Sequence, residues 1–492
     1  MTSPDAPTLV EVADAIRDRR VSSIAVLEAC LAAVDRHGPA INAVTWIDRE
    51  GARAAARAAD ARLAAGVPVG PLHGVPLAHK DMYYQAGRPA TCGSAILRDH
   101  VPDVTATVLR RLEAAGSFAF AGLNMAEFAQ NPTGHNAHFG HTRNPWSLDH
   151  IPSGSSSGPG AAVAAGLTPA SLGSDTGGSV RLPASACGVT GLKPTQTRVS
   201  RAGVMPLSFS ADNVGPLART ARDCARVLRV IAGVDPADPT ASAEPVPDYE
   251  AALDGDLRGL RVGIPTNGFL GEGTPVEAAV HAATAVLAAR GARLVPIVLP
   301  YAAAATAYLI VIMRSEGAAV HERWMRTRAE EYGPSLSGKI YCGYAIPAPL
   351  YVEALRARGP ILRAFAAEVF GAVDVIAMPT IPAPLPTLAE TDVDAGHPGM
   401  PAVTEALGVN TRLFNYLGLP AVSMPIGFDP NGLPIGLQIA GRPFAEGRVL
   451  KVADAYQRDT DWHARRPSLG KAPPSPDPIR QGANALPGPA ST

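Results

Sequence analysis

Lysine is scarce in this chain. Of 43 basic residues only five are lysines (Lys80, Lys193, Lys339, Lys451 and Lys471), so arginine serves wherever a generic positive charge suffices. Lys80 breaks that habit at the end of GVPLAHKDM, directly after a short apolar run, where a partly buried amine is expected. Burial disfavours the ammonium and lowers its pKa, which makes lysine a base usable near pH 7. A structural ion pair with adjacent Asp81 is the alternative use of this residue. The second unusual stretch, Ser153 to Lys193, reads SGSSSGPGAAVAAGLTPASLGSDTGGSVRLPASACGVTGLK. Its glycines and serines allow close backbone approach and let several N–H groups converge on one oxygen, as an oxyanion site requires. Ser179, following Gly177 and Gly178, is placed at the mouth of such a nest, and serine with lysine is a known nucleophile–base pair. Tight turns bracketing a helix from 161 to 166 are the plain structural alternative.

Two rival chemistries share these segments. Gly154-Ser155-Ser156-Ser157-Gly158 fits the G-x-S-x-G nucleophile elbow of an α/β-hydrolase esterase, with Ser156 as nucleophile, but the preceding WSLDHIPS lacks the apolar strand such an elbow needs. His135, His138 and His141, with His150 nearby, have the look of a zinc cluster. Their H-x-x-H spacing in a Gly/Asn-rich loop lacks the glutamate and the i, i+4 geometry of H-E-x-x-H, so loop or substrate-facing histidines are expected instead.

The segments GVPLAHKD, SDTGGSVRLPASACGVTGLKPT, SADNVGPLART, DVIAMPTIPAP and FNYLGLPAVSMPIGFDPNGLPIGLQIAGRPF together closely resemble the amidase signature family, in the family's order and over residues 8 to 466. The resemblance implies one large α/β/α domain on a mixed central sheet, with no cofactor and no metal. By motif, Lys80 resembles the family's base, Ser155 its bridging serine beside a cis peptide, and Ser179 its nucleophile. The backbone N–H groups of Thr176, Gly177, Gly178 and Ser179 resemble its oxyanion hole, and Ser156, Asp175 and Arg181 its supporting polar residues. The 24-residue interval from Ser155 to Ser179 is the family's own. Ser153 and Pro159 depart from its usual residues. The implied function is hydrolysis of a carboxylic amide through an acyl-enzyme, with esters and carbamates as further substrates. The alternative is the related amidotransferase subunit that releases ammonia for transfer RNA amidation inside a multi-subunit assembly.

These residues need a scaffold, and alternating strand and helix patterns argue for an α/β fold. Helices are expected over 8–18, from about 22, and over 50–65, 104–115 and 276–290. Strands are expected over 42–47, 74–78, 117–121, 260–264, 293–298 and 374–378. Residues 235–249, DPADPTASAEPVPDY, read as a surface excursion, and the Pro/Gly-rich 467–492 as a disordered tail after a catalytic domain of 1–466.

Composition narrows the partners. Lys plus Arg is 43 against 44 for Asp plus Glu, a net charge of -1, which disfavours an electrostatic binder of nucleic acid or membrane. Five scattered cysteines without C-x-x-C suggest a reducing compartment. The start lacks an apolar signal region, and the apolar run from Tyr301 to Met313 is too short to span a bilayer. The expectation is a cytoplasmic enzyme whose partner is a small amide substrate, with no nucleic acid, no membrane, and at most a homodimer. Selectivity is expected in 124–150, 305–345 and 400–416, with Phe128, Phe139, Trp146, Tyr308, Met313, Phe414 and Tyr416 hinting at an apolar acyl group.

Overall fold

In the computed structural model, which describes residues 7–392 and 400–469, the chain opens with two amphipathic helices, Leu9–Arg17 and Ser23–Ile41. Each begins at a hydroxyl cap, Thr8 or Ser22, that accepts a hydrogen bond from a first-turn N–H. β1 (Val44–Ile47), β2 (Pro76–Lys80) and β3 (Phe118–Leu123) then form a small sheet in the order β1-β3-β2. The large sheet comprises β4 (Ala170–Ser174), β5 (Thr190–Lys193), β6 (Val214–Ala218), β7 (Arg261–Pro265), β8 (Arg293–Ile297), β9 (Val375–Pro379), β10 (Ala421–Phe428) and β11 (Pro434–Gly441). Its order is β4-β6-β5-β10-β11-β9-β7-β8, with β9, β7 and β8 parallel and the other pairs antiparallel. The architecture is therefore mixed α/β around a large central sheet.

Helices cover both faces of that sheet, and β11 shows how closely. Gly436 and Gly441 are five residues apart and so face opposite ways. A Cβ at Gly436 would meet Ser185 Oγ at 2.4 Å, on the helix Arg181–Cys187, and one at Gly441 would meet Val449 Cγ1 at 2.8 Å, on the helix Glu446–Asp459. Only glycine lets both helices approach at those points.

Main-chain pairing stops between β2 and β4, and side chains take over. Thr168 Oγ1 accepts from Ala78 N at 3.2 Å, and His79 Nδ1 accepts from Leu172 N at 3.1 Å. The end of β2 at Lys80 is thereby set beside the end of β4 at Ser174.

Several elements differ from the sequence expectation. β2 runs two residues further than expected, so Lys80 is the last residue of the strand itself. The helix expected from 161 is Ser157–Ala164, and Pro159 falls in its first turn, where a missing N–H leaves no bond unmade. β4, β5, β6, β10 and β11 carry glycine, serine or proline and no alternation, because a strand buried on both faces has no polar side to show. The apolar run at Tyr301 continues past Arg314 as one helix, Ala302–Thr327, of 26 residues. By length and composition alone it could cross a membrane. Here it packs against the helices Pro334–Tyr344 and Ala348–Glu368, with Glu316 and His321 buried. Of the expected tail, Leu469 packs against the cluster around Leu27 and Val163, and 470–492 lie outside the described residues.

Candidate active site

Lys80 is 1% exposed, and its Nζ lies 2.7 Å from Ser155 Oγ and 2.9 Å from Ser174 Oγ. Burial lowers its pKa to about 7, against an upward pull from the carboxylates of Asp212 and Asp175. Asp81 does not pair with it. That carboxyl accepts instead from Thr91 and from Trp46 Nε1, and burial raises its pKa to about 7. The Gly154–Ser155 peptide is cis, and Ala126 N donates to the Ser155 carbonyl at 3.2 Å.

Ser179 sits in the turn between β4 and the helix Arg181–Cys187, and its carbonyl accepts from Ser156 N at 3.3 Å. Along Ala170–Val180 Gly177 and Ser179 are partly exposed and the rest are buried. The turn is held from beneath by Asp175. Its carboxylate accepts from Arg181 Nε at 3.0 Å and Nη2 at 3.1 Å, from Asn415 Nδ2 at 2.7 Å, and from the backbone N–H of Gly178, Val180 and Arg181. Burial works to raise the Asp175 pKa, but the Arg181 charge and these donors outweigh it and bring it to about 2. Arg181, fully buried, also donates to Gln438 Oε1 and Asn415 Oδ1, so each member of this pair is satisfied.

These bonds decide which N–H groups of the turn are free. Gly178 departs from expectation, because its N–H donates to Asp175 Oδ1 at 2.9 Å. Among the described residues the N–H groups of Thr176, Gly177 and Ser179 have no protein acceptor. Gly178 nonetheless has to be glycine: its φ is +131°, and a Cβ there would lie 2.5 Å from Thr411 Oγ1. Thr176 Oγ1 donates to Asp212 Oδ1 at 2.6 Å, and Thr411 Oγ1 donates to the Gly177 carbonyl at 2.6 Å.

The rival nucleophile is occupied. Ser156 is fully buried, and its Oγ bridges the carbonyl and N–H of Ser174 at 3.3 Å each, with no strand preceding it. The histidines are also engaged: His135 with Thr391, His138 with Glu127, His141 Nδ1 with Asn136 N, and His150 with Ser147. Of the aromatic candidates, Phe128 packs on His321 and Trp324, and Tyr308 stacks on Tyr416, while Met313 Sδ lies 3.7 Å from the Cβ position of Gly177, over the turn.

Sequence reasoning missed Ser174, Asp212, Thr411, Asn415 and Gln438. Ser174, Asp212, Asn415 and Gln438 lie inside the quoted motifs, so their neighbourhood was visible although their contacts were not, and Thr411 lies outside them.

The chain matches the family described as Amidase over residues 25–450. It is 44% identical to the A-type subunit of the glutamyl-tRNA(Gln) amidotransferase of Roseiflexus sp. (strain RS-1), over 94% of this chain and 98% of that protein. Among solved structures, it resembles a chain of an unexpected vestigial protein complex described as revealing the evolutionary origins of an s-triazine catabolic enzyme. That likeness has a TM-score of 0.85 and 36% identity, over 92% of this chain and 98% of the other. It also resembles the A-type subunit of the glutamyl-tRNA(Gln) amidotransferase of Thermotoga maritima, with a TM-score of 0.78 and 29% identity, over 96% and 99% of the two chains. These relatives correct the expectation about partners. Proteins so similar over their full length are named as one subunit of an enzyme acting on a tRNA, so a small amide substrate alone, with no nucleic acid and at most a second copy, is overturned as the list of partners. Net charge misled here because it describes one chain, whereas in an assembly another subunit can carry the nucleic-acid contacts.

Proposed function

The chain belongs to the amidase family, and from that premise we propose that it is the amide-hydrolysing A-type subunit of a cytoplasmic amidotransferase, acting with partner subunits through Lys80, Ser155 and Ser179. The observation that carries the chemistry is the 2.7 Å contact between Ser155 Oγ and a buried Lys80 whose pKa is lowered to about 7. A lysine of ordinary pKa would be neutral in well under 1% of molecules at pH 7. Here burial moves the pKa down toward neutrality, so the neutral form is far more populated and its lone pair can accept a proton.

In the proposed reaction the Ser179 hydroxyl attacks the amide carbonyl, its proton passes to Ser155, and the Ser155 proton passes to Lys80 Nζ. The new Oγ–C bond leaves negative charge on the carbonyl oxygen, facing the free N–H groups of Thr176, Gly177 and Ser179. Collapse breaks the C–N bond, and the proton returns from Lys80 through Ser155 to the leaving nitrogen. Water then attacks the acyl-enzyme by the same relay. Ser174 Oγ accepts one Lys80 N–H, which helps aim the lone pair at Ser155.

Arg358 supports an amide substrate that bears a carboxylate, as glutamine does. Its Nη1 donates to Ser210 O at 2.8 Å and Gln196 Oε1 at 3.1 Å, while among the described residues its buried Nε and Nη2 have no hydrogen-bond partner. It lies 5.5 Å from the ring centre of Tyr416, next to the Asn415 that holds Asp175. A buried guanidinium with two unmet donors suits a carboxylate.

Peptide mapping after a serine-directed sulfonyl fluoride tests the chemistry. The adduct is expected on Ser179 and absent in Ser179→Ala, and an adduct on Ser156 refutes the assignment. The multi-subunit reading is tested by supplying glutamine with and without partner subunits and glutamyl-tRNA. Full turnover of simple amides by the chain alone, with no gain from partners, refutes that part.

A further inference from the structure

Glu316 is 1% exposed on the helix Ala302–Thr327, three residues beyond the Met313 that lies over Gly177, and no step of the proposed reaction uses it. Its carboxylate is nonetheless fully engaged. Oε2 accepts from Ser208 Oγ and, at 3.0 Å, from Ser210 N, while Oε1 accepts from Ser210 Oγ at 2.6 Å and from the Tyr351 hydroxyl at 2.9 Å. Tyr351 belongs to the helix Ala348–Glu368, which carries Arg358, and the other donors belong to the segment 207–212. Asp212 holds the same segment from its other end: Oδ2 accepts from Leu207 N at 2.9 Å and Ser208 N at 3.0 Å, and Oδ1 accepts from Thr176 Oγ1 in the Ser179 turn. The Ser210 carbonyl in turn accepts from Arg358 Nη1 at 2.8 Å and from Gln196 Nε2. Hydrogen bonds thus connect the Ser179 turn to Arg358 through one short segment, and Glu316 is the group that pins Ser210 within it.

We propose that Glu316 is a positioning residue for substrate selection: by fixing Ser210 it sets the Arg358 guanidinium at one place relative to the Ser179 turn, with Nε and Nη2 left for the substrate's carboxylate. The inference rests on the reading of Arg358 as the carboxylate contact. A carboxylate held by two N–H groups of one guanidinium fixes where the other end of a short amide falls, so its carbonyl reaches Ser179 only if Arg358 and the turn keep their separation. The segment 207–212 cannot keep it unaided, because it contains no helix or strand and Phe209 within it is 51% exposed. The contacts also say which replacement should preserve the function. Ser210 N–H can only donate, so the Oε2 place must be an acceptor, whereas the Ser210 and Tyr351 hydroxyls at the Oε1 place can accept as well as donate. Glutamine can put its oxygen at the first place and its nitrogen at the second, and so keep the four contacts without the charge.

The test compares wild type, Glu316→Gln and Glu316→Leu, with the double variant Ser208→Ala/Ser210→Ala as a milder way to release the segment should Glu316→Leu fail to fold. The full chain is assayed with its partner subunits, and the readout is preference: kcat/KM for glutamine, which bears a carboxylate, over kcat/KM for butyramide, which does not. Preference should fall about tenfold in Glu316→Leu and roughly threefold in the double variant, through KM for glutamine, and stay within about twofold of wild type in Glu316→Gln. The Nε–H NMR signal of Arg358, assigned by its loss in Arg358→Met, should move in Glu316→Leu and hold its place in Glu316→Gln. Preference retained in both Glu316→Leu and the double variant, an unmoved Arg358 signal in Glu316→Leu, or a Glu316→Gln as impaired as Glu316→Leu each overturns the proposal. Arg358→Met separates this from the reading beneath it. If that variant keeps the preference, the carboxylate contact itself is refuted and the proposal with it; if it abolishes the preference while the Glu316 variants do not, only the positioning role falls.

Discussion

Replacing Lys80 by methionine keeps the volume of the side chain and removes its titration, so the change in pH dependence reports the buried amine directly. The drop of its pKa from 10.5 to about 7 corresponds to about 5 kcal/mol between the two protonation states. The sign follows from proton counts. Between pH 7 and 10.5 the unfolded chain holds a proton on Lys80 that the folded protein has released, so stability rises with pH through that window. Below pH 7 both states are protonated, and the full penalty of the buried ammonium is present. Between pH 7 and 9 this residue alone should add about 2 kcal/mol of stability to the wild type. Lys193 and Lys339, also lowered to about 7 by burial, contribute in the same direction in both proteins. The difference between wild type and Lys80→Met therefore isolates Lys80. Urea denaturation of both at pH 7, 8 and 9 is the assay, paired with the pH profile of kcat/KM. Turnover of the wild type should climb through a group near pH 7, and the variant should be inactive while folded. Equal stability slopes, or a wild-type rate that is flat across pH 6 to 8, would refute the neutral-base argument.

Other consequences are open to measurement. Asp175→Ala leaves Arg181 buried without its carboxylate, so it should cost about 3–5 kcal/mol of stability and also disorder the Ser179 turn, seen as a lower Tm together with lost inhibitor labelling. Arg358→Met should raise KM for a carboxylate-bearing amide at least tenfold while changing KM for an uncharged amide little; equal effects on both would exclude a carboxylate contact. Because His135, His138, His141 and His150 each engage a protein group, exhaustive chelation should leave turnover intact, and loss of activity restored by added zinc would reverse that view.

Much of the candidate site was legible in the chain because its requirements are local. A lysine in an arginine-using protein, following an apolar run, points to burial, and the run Ser174 to Arg181 places the candidate nucleophile Ser179, a cluster of backbone N–H groups and the Asp175 carboxylate close together in sequence. The helices at Leu9–Arg17 and Arg49–Ala64 and the strands β7, β8 and β9 are likewise visible, because their apolar spacing depends only on neighbours a few residues away. What the chain could not disclose are relations between distant segments. That Ser174 is a second partner of Lys80 and that Asn415 and Gln438 close the Asp175–Arg181 pair are results of bringing β4 beside β2 and of setting β11 and the segment around Asn415 beside the turn, while the Gly178–Asp175 bond, though local, depends on the turn's conformation rather than on residue types alone. β4, β5, β6, β10 and β11 were themselves hidden, since a strand buried on both faces carries no alternation, and Gly191, Gly436 and Gly441 there reflect the closeness of a packed helix. The spacing of residues thus set which groups could react, and the folded conformation decided which of their donors and acceptors remain unspent, because that depends on turn geometry and on partners such as Lys80, Asn415 and Gln438 that are far away in the chain.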